Sequence, residues 1–193
     1  MAPWSKMKQQ LESFLAPNLK GRVEYRATAY RYAPDKAGRC YITVDKKEVF
    51  SMSDLTAQIR WFETEQQIIK EGLLQIKISE EEVENTRQRA EFSKIPENRI
   101  AEILRKQKVS ECAKQMIKSQ AILSKSDFYT TATVYLANSI EYALASEDIL
   151  LNVFGLLDRR VGKGRLNRLK PQMEIKHPIV QYFYQLRLDA EKR

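Results

Sequence analysis

The chain of 193 residues contains a single histidine and two cysteines, Cys40 and Cys112. One histidine cannot build a multi-histidine zinc site, and two isolated cysteines cannot supply the CxxC pairs of a structural zinc centre. The histidine, His177, precedes Pro178 at a predicted helix start, where a capping or surface role is expected rather than general-base catalysis. We therefore predict a protein that is not an enzyme and that uses no metal or cofactor.

Long hydrophobic runs are also missing. No window of about 18 apolar residues is present, and Lys6, Lys8 and Glu12 interrupt the region where a signal peptide needs an apolar segment. Two cysteines are too few for a disulfide framework, so both are expected to be reduced. These absences favour a cytoplasmic protein with no membrane association.

Glycine and proline are scarce, at six each, while hydrophobic residues make up 43% of the chain and charged residues 30%. This composition is typical of a folded globular protein, and the length fits one domain. We expect a single domain over residues 1–193, with a helix and β-meander in residues 1–52 and a helical part in residues 53–193.

Residues 22–52 show the alternation of β-strands. Val23, Tyr25 and Ala27 alternate with polar residues, the stretch RCYITV alternates again, and EVFSM can follow a turn at DKK. These patterns predict an antiparallel hairpin or a three-stranded meander. Tyr30 and Tyr32 are out of phase with the first strand, which predicts a β-bulge.

Helical spacing dominates elsewhere, so the predicted fold class is α+β. A first helix is expected after Ser5, and a second begins at Ser53 or Asp54. In the second helix a stripe of apolar residues forms the predicted buried face. The stripe consists of Leu55, Ile59, Phe62, Ile69 and Leu73. Further helices are predicted after Ser79 (a capping box with Glu82), at Pro96, after Ser110, Ser126 and Ser146, and at Pro178.

The most motif-like stretch is DRRVGKGRLNRLK, residues 158–170. It is not a nucleotide-binding P-loop, because Leu157 occupies the first glycine position and Gly164 replaces the Ser or Thr that binds magnesium. One interpretation is a helix end, with Arg159 and Arg160 in the last turn and Gly162 as a left-handed cap. In this interpretation Asp158 pairs with one of the arginines.

The other interpretation is a binding surface, because the basic excess of the chain, which has a net charge of +8, lies in residues 1–50 and 151–193. Such surfaces attract an acidic partner protein, which is the leading hypothesis, or the phosphates of a nucleic acid, which is the alternative. The candidate contact residues are Arg159, Arg160, Lys163, Arg165, Arg168 and Lys170, with Tyr25, Arg26, Tyr30 and Arg31 on the hairpin.

Several stretches together resemble a family of uncharacterised bacterial proteins of about 190 residues. They are PWSKMKQQLESFLAPNLKGRVEYRATAYRY and YITVDKKEV near the start, and LLDRRVGKGRL and HPIVQYFYQLRLDAE near the end. The resemblance implies one family over the whole chain and carries no activity with it. The family's basic loop resembles DRRVGKR, so Gly164 stands where a basic residue is expected.

Overall fold

The computed structural model describes residues 3–33, 36–72, 76–89, 91–92 and 94–192. Contacts within the chain divide it into two compact units. Unit 1 comprises Met1–Ala57 and Ser119–Arg193, and unit 2 comprises Gln58–Lys118. The part expected to be helical therefore contributes to both units, and the expectation of a single domain stays a prediction.

The sheet of unit 1 is the predicted three-stranded antiparallel meander. Its strands are β1 (Val23–Ala29), β2 (Gly38–Val44) and β3 (Lys47–Ser53), in the order β1-β2-β3. Asp45 and Lys46 join β2 to β3 with φ values of 49° and 68°, as a two-residue hairpin turn requires. The prediction of a bulge at the tyrosines is wrong. Tyr30 and Tyr32 lie beyond the end of β1, and the shift in register falls between Ile42 and Thr43 of β2.

Helices surround this sheet and confirm the α+β class. The helices are α1 (Trp4–Phe14), α2 (Asp54–Glu71), α3 (Glu80–Arg87), α4 (Glu97–Ser119), α5 (Lys125–Ala137), α6 (Ile140–Ala145), α7 (Ile149–Leu157), α8 (Lys163–Met173) and α9 (Pro178–Ala190), with a short 3₁₀ helix at Pro17–Leu19. In the part of the chain that the structure describes, no helix combines the length and apolar character needed to cross a bilayer.

The core of unit 1 is built around α7, as its nearly continuous apolar sequence predicts. Every residue of α7 from Leu150 to Leu157 is buried, and α5, α6 and α9 pack against it. An aromatic cluster joins α7 to the sheet and to α5, because the ring of Phe154 lies 5.7 Å from that of Tyr25 and 5.6 Å from that of Phe128. This cluster fixes α5 against the sheet.

Several predicted helix starts are wrong, and at two of them a neighbouring side chain is the better-placed cap. Ser124, rather than Ser126, caps α5 in a reciprocal pair with Asp127, and Asp148, rather than Ser146, caps α7. Ser110 lies inside α4, so the two helices predicted there are one. Ser5 similarly lies inside α1, and Ser139 begins α6 within a region predicted as a single helix.

Unit 2 confirms the predicted capping box of Ser79 and Glu82 at the start of α3. Helix α2 begins in unit 1, since residues 54–57 belong to that unit, and continues into unit 2; its predicted buried face is wrong. Leu55, Ile59, Phe62 and Ile69 are exposed, and Leu73 lies outside the described residues. The face of α2 that packs within unit 2 instead carries Ile68, which is clustered with Val109 and Ala113 of α4.

The two cysteines differ in environment, which predicts different reactivity. Cys40 is fully buried in β2, and burial raises the pKa of its thiol to about 12, whereas Cys112 is partly exposed. At pH 8 iodoacetamide should modify Cys112 and leave Cys40 untouched until denaturant is added, as read by peptide mass spectrometry. Equal labelling of both residues in the folded protein would contradict the burial of Cys40.

The same thiol predicts a loss of stability in alkali. The pKa of Cys40 is higher in the folded chain than in the unfolded chain, so the unfolded chain loses its proton first as the pH rises. The contribution of Cys40 to stability is present below pH 8.5 and falls above it. Urea denaturation at pH 8 and pH 10 should show a larger loss for wild type than for Cys40→Ala.

Candidate functional site: the basic surface of helix α8

The segment predicted as a basic loop is a short turn followed by helix α8. Helix α7 ends at Leu157, so Arg159 and Arg160 lie beyond it rather than in its last turn. Gly162 is not a left-handed cap, because its φ and ψ are −81° and 169° and it is the N-cap of α8. The signal for α8 is the apolar spacing of three buried residues, which are Leu166, Leu169 and Met173.

Asp158 anchors the turn between α7 and α8. Its side chain is fully buried, and it accepts hydrogen bonds from the Tyr135 hydroxyl, from the Arg160 backbone N–H at 2.7 Å, and from Arg160 Nη2 at 2.6 Å. This confirms the predicted pairing of Asp158 with an arginine. The Arg160 guanidinium also lies 4.5 Å from the ring centre of Phe14, in cation–π contact. The Arg160 side chain therefore stabilises the folded structure.

The pKa shifts of this cluster follow from its geometry. Burial first, and then the hydrogen bond to Asp158, raise the pKa of Tyr135 far above its ordinary value. The hydrogen bond to Asp158 raises the pKa of Arg160. Tyr135 therefore remains a neutral hydrogen-bond donor and Arg160 a cation at physiological pH.

The N-terminal segment holds the turn through its backbone. The Arg159 N–H donates to the Phe14 carbonyl at 2.7 Å, and the Ala16 N–H donates to the Leu157 carbonyl at 2.9 Å. These bonds join the end of α1 to the end of α7, although the two helix ends are far apart in sequence. The backbone of Arg159 is thus fixed while its side chain points into solvent.

Helix α9 holds the turn from the other side through the buried side chain of Arg187. Arg187 Nη2 donates to the Val161 carbonyl at 3.0 Å, and Nη1 donates to Asn18 Oδ1 at 3.1 Å. The same guanidinium pairs with Glu191. Residues 14–18, 157–161 and 187–191, which are far apart in sequence, therefore meet at this turn.

Four cations of the stretch 158–170 are exposed and lack a salt bridge among the described residues. Arg165 is not among them, because it is engaged by Glu141 at 2.8 Å. The four are Arg159, Lys163, Arg168 and Lys170, and together they are called the basic α8 surface. At 100° per residue, Lys163 and Lys170 share one side of α8, and Arg168 lies about 140–160° from them around the helix. No acidic residue occurs in residues 159–173, and the N-terminal end of a helix adds positive potential. The surface can therefore attract anions.

The hairpin residues predicted to contact a partner lie in different environments. Tyr25 is a core residue rather than a contact residue, since it is 2% exposed and packs on Phe128 and Phe154. Arg26 pairs with Glu24, and the Tyr30 hydroxyl hydrogen-bonds to Ser53 at 2.9 Å. Tyrosine enrichment in this hairpin thus reflects in part the packing of the sheet.

The tip of the hairpin remains exposed. Arg31 is exposed beside Tyr32, which is 89% exposed, with the guanidinium 5.6 Å from the ring centre. The tip lies near the start of α5, where Lys125 Nζ donates to the Lys36 carbonyl at 2.8 Å. Tyr135, which reaches Asp158, lies ten residues further along α5, about 15 Å at 1.5 Å per residue. The tip and the basic α8 surface are therefore two separate surfaces.

His177 takes its predicted capping role, since its Nδ1 accepts the Ile179 N–H at 3.1 Å at the start of α9. Within the described ranges, no group of three or more His, Cys, Asp or Glu side chains is placed to hold a metal ion.

The Asp158 cluster predicts a large loss of stability for Asp158→Asn. The change removes the charge that Arg160 neutralises and replaces an oxygen that accepts from Arg160 and from the buried Tyr135 hydroxyl, so the free energy of unfolding should fall by about 2–4 kcal/mol. Urea denaturation followed by circular dichroism measures this loss.

The matched control is Glu141→Gln, which breaks the exposed ion pair with Arg165. An exposed pair contributes at most about 1 kcal/mol. Equal losses for the two variants would show that Asp158 is not the anchor of the turn.

Comparison with known proteins places the chain in a family. No curated protein and no solved structure matches it. Residues 3–188 match the SF0329 protein family, and this range includes the turn and the basic α8 surface. The chain therefore belongs to the SF0329 protein family.

Proposed function

We propose that this protein is a non-catalytic, cytoplasmic interaction protein and that its basic α8 surface binds an acidic partner protein. The observation that carries the proposal is the set of four exposed cations that have no carboxylate partner among the described residues. They lie on a turn and a helix that the buried Asp158 and Arg187 hold in place.

Pre-organisation is the physical reason to assign binding to this surface. Arg160 and Arg187 form contacts within the chain, and those contacts fix the backbone that carries the free cations. A partner then meets cations whose backbone positions are already set, so association costs less conformational entropy than binding to a mobile basic tail. Complementary charge also steers the encounter.

The alternative partner is a nucleic acid, and the geometry favours it less. Stacking of bases requires exposed aromatic rings beside cations, and residues 159–173 contain no aromatic residue. Tyr25 is in the core, and Tyr32 lies at the hairpin tip, away from the basic α8 surface. An acidic protein surface needs only the cations that are present, and so do the phosphates of a duplex, so the missing aromatic residues argue against a single-stranded nucleic acid.

Charge reversal with a matched control tests the proposal. The variant Lys163→Glu/Arg168→Glu/Lys170→Glu and the control Lys6→Glu/Lys20→Glu/Lys47→Glu change the net charge equally, and all six residues are exposed without a salt bridge in the described structure. Binding of a fluorescent poly-glutamate peptide is measured by anisotropy at low salt. We expect the first variant to bind at least about ten-fold more weakly than wild type, and the control to stay within about three-fold.

Mixed-sequence DNA and RNA oligonucleotides of equal net charge complete the experiment. Tighter binding of the oligonucleotides than of poly-glutamate, with a steep dependence on salt that the first variant reduces, would establish the alternative partner. Equal losses in both variants would show that only net charge matters and would overturn the proposal for the α8 surface.

A further inference from the structure

Helix α2 carries an uncovered apolar stripe. Leu55, Ile59, Phe62 and Ile69 are 57%, 50%, 61% and 62% exposed, respectively. Half-exposed residues of this size are ordinary when scattered singly, but a continuous row of them on one helix marks an interaction site. The stripe is distinct from the basic α8 surface, and the inference does not depend on the proposed function.

Helix α2 also has a face that packs within the chain, so the exposed stripe is a second apolar face. Ile68 is buried against Val109 and Ala113, and Trp61 Nε1 donates to the Ser110 carbonyl at 3.1 Å. At 100° per residue, Ile68 and Trp61 lie roughly 100–180° from Ile59 and Phe62 around the helix. Helix α2 therefore has two apolar faces, of which α4 contacts one.

The spacing of the stripe is that of a coiled-coil seam. Leu55, Ile59, Phe62, Gln66 and Ile69 follow one another at intervals of four and three residues, which places Ile59 and Gln66 at a positions and the other three at d. A β-branched residue at a with leucine at d favours two strands, and a single polar residue at a fixes the register. Ile59 at a and Leu55 at d match the first preference, Gln66 supplies the polar residue, and Phe62 and Ile69 occupy the remaining d positions.

The charges beside the stripe select the direction of pairing. Glu65 is at a g position and Lys70 is at the e position five residues later, and neither forms a salt bridge with a described residue. In a parallel pair, Glu65 of one copy faces Lys70 of the second copy, and symmetry repeats the contact. An antiparallel pair would place Glu65 on the same side as Glu65 of the second copy.

We propose that α2 pairs in parallel with α2 of a second copy of this chain through the stripe of Leu55, Ile59, Phe62, Gln66 and Ile69. The helix is 18 residues long, about two and a half heptads, so the interface is small. The dimer is therefore weak and concentration-dependent, with a dissociation constant on the order of tens of micromolar. Self-association then depends on an exposed face that folding of the monomer does not need.

Sedimentation equilibrium of the full chain, from about 1 µM to about 500 µM, tests the pairing. Wild type should shift from monomer to dimer across this range. Phe62→Glu should raise the dissociation constant at least ten-fold. Gln67→Glu, which adds the same charge on an exposed position of α2 outside the stripe, should change it by less than about three-fold. Circular dichroism should show that both variants fold.

A charge swap tests the parallel direction. Lys70→Glu should weaken the dimer, because it places two glutamates at the predicted contact, and Glu65→Lys/Lys70→Glu should restore wild-type affinity. A double variant as weak as Lys70→Glu would overturn the parallel arrangement. Monomeric wild type at about 500 µM, or equal effects of Phe62→Glu and Gln67→Glu, would overturn the dimer itself.

Discussion

A buried carboxylate, Asp158, is the constraint on which the architecture of unit 1 depends. A buried charge requires a counter-charge and hydrogen bonds, and Arg160 and Tyr135 supply them. Because Tyr135 belongs to α5 and Asp158 follows α7, satisfying this one charge joins the packing of two helices to the position of the turn. Backbone bonds from the end of α1 and the guanidinium of Arg187 complete the arrangement. The start, the middle and the end of the chain are thereby held at one place.

This arrangement separates the basic residues of DRRVGKGRLNRLK into two groups. Arg160 and Arg165 are neutralised by Asp158 and Glu141 and support the structure, whereas Arg159, Lys163, Arg168 and Lys170 remain available. The stretch is therefore both a structural element and a candidate binding surface. Of the helix-end interpretation, only the pairing of Asp158 with an arginine holds, and the binding-surface interpretation stays a proposal for the four free cations.

The elements with strong local signals could be predicted from the sequence, and those set by tertiary packing could not. Alternation revealed all three strands, and the Ser79–Glu82 capping box and Pro178 located the starts of α3 and α9. Helix α8 was missed because glycines, Pro171 and a run of cations obscure its apolar spacing. The roles of Tyr135 and Arg187 carry no local signal, since each acts on a residue distant in sequence. Helix α2 shows the remaining limit: a periodic stripe identifies an apolar face without saying whether the chain itself covers it.

Chemical-shift mapping by NMR tests the central claim most directly, namely that the free cations held by the Asp158 cluster form the binding surface. Titration of the ¹⁵N-labelled chain with poly-glutamate should perturb the amides of residues 159–170 most strongly, with smaller changes at Arg31 and Tyr32 of the hairpin tip. Perturbations centred on the hairpin tip, or spread evenly over Lys6, Lys20 and Lys47, would contradict the account.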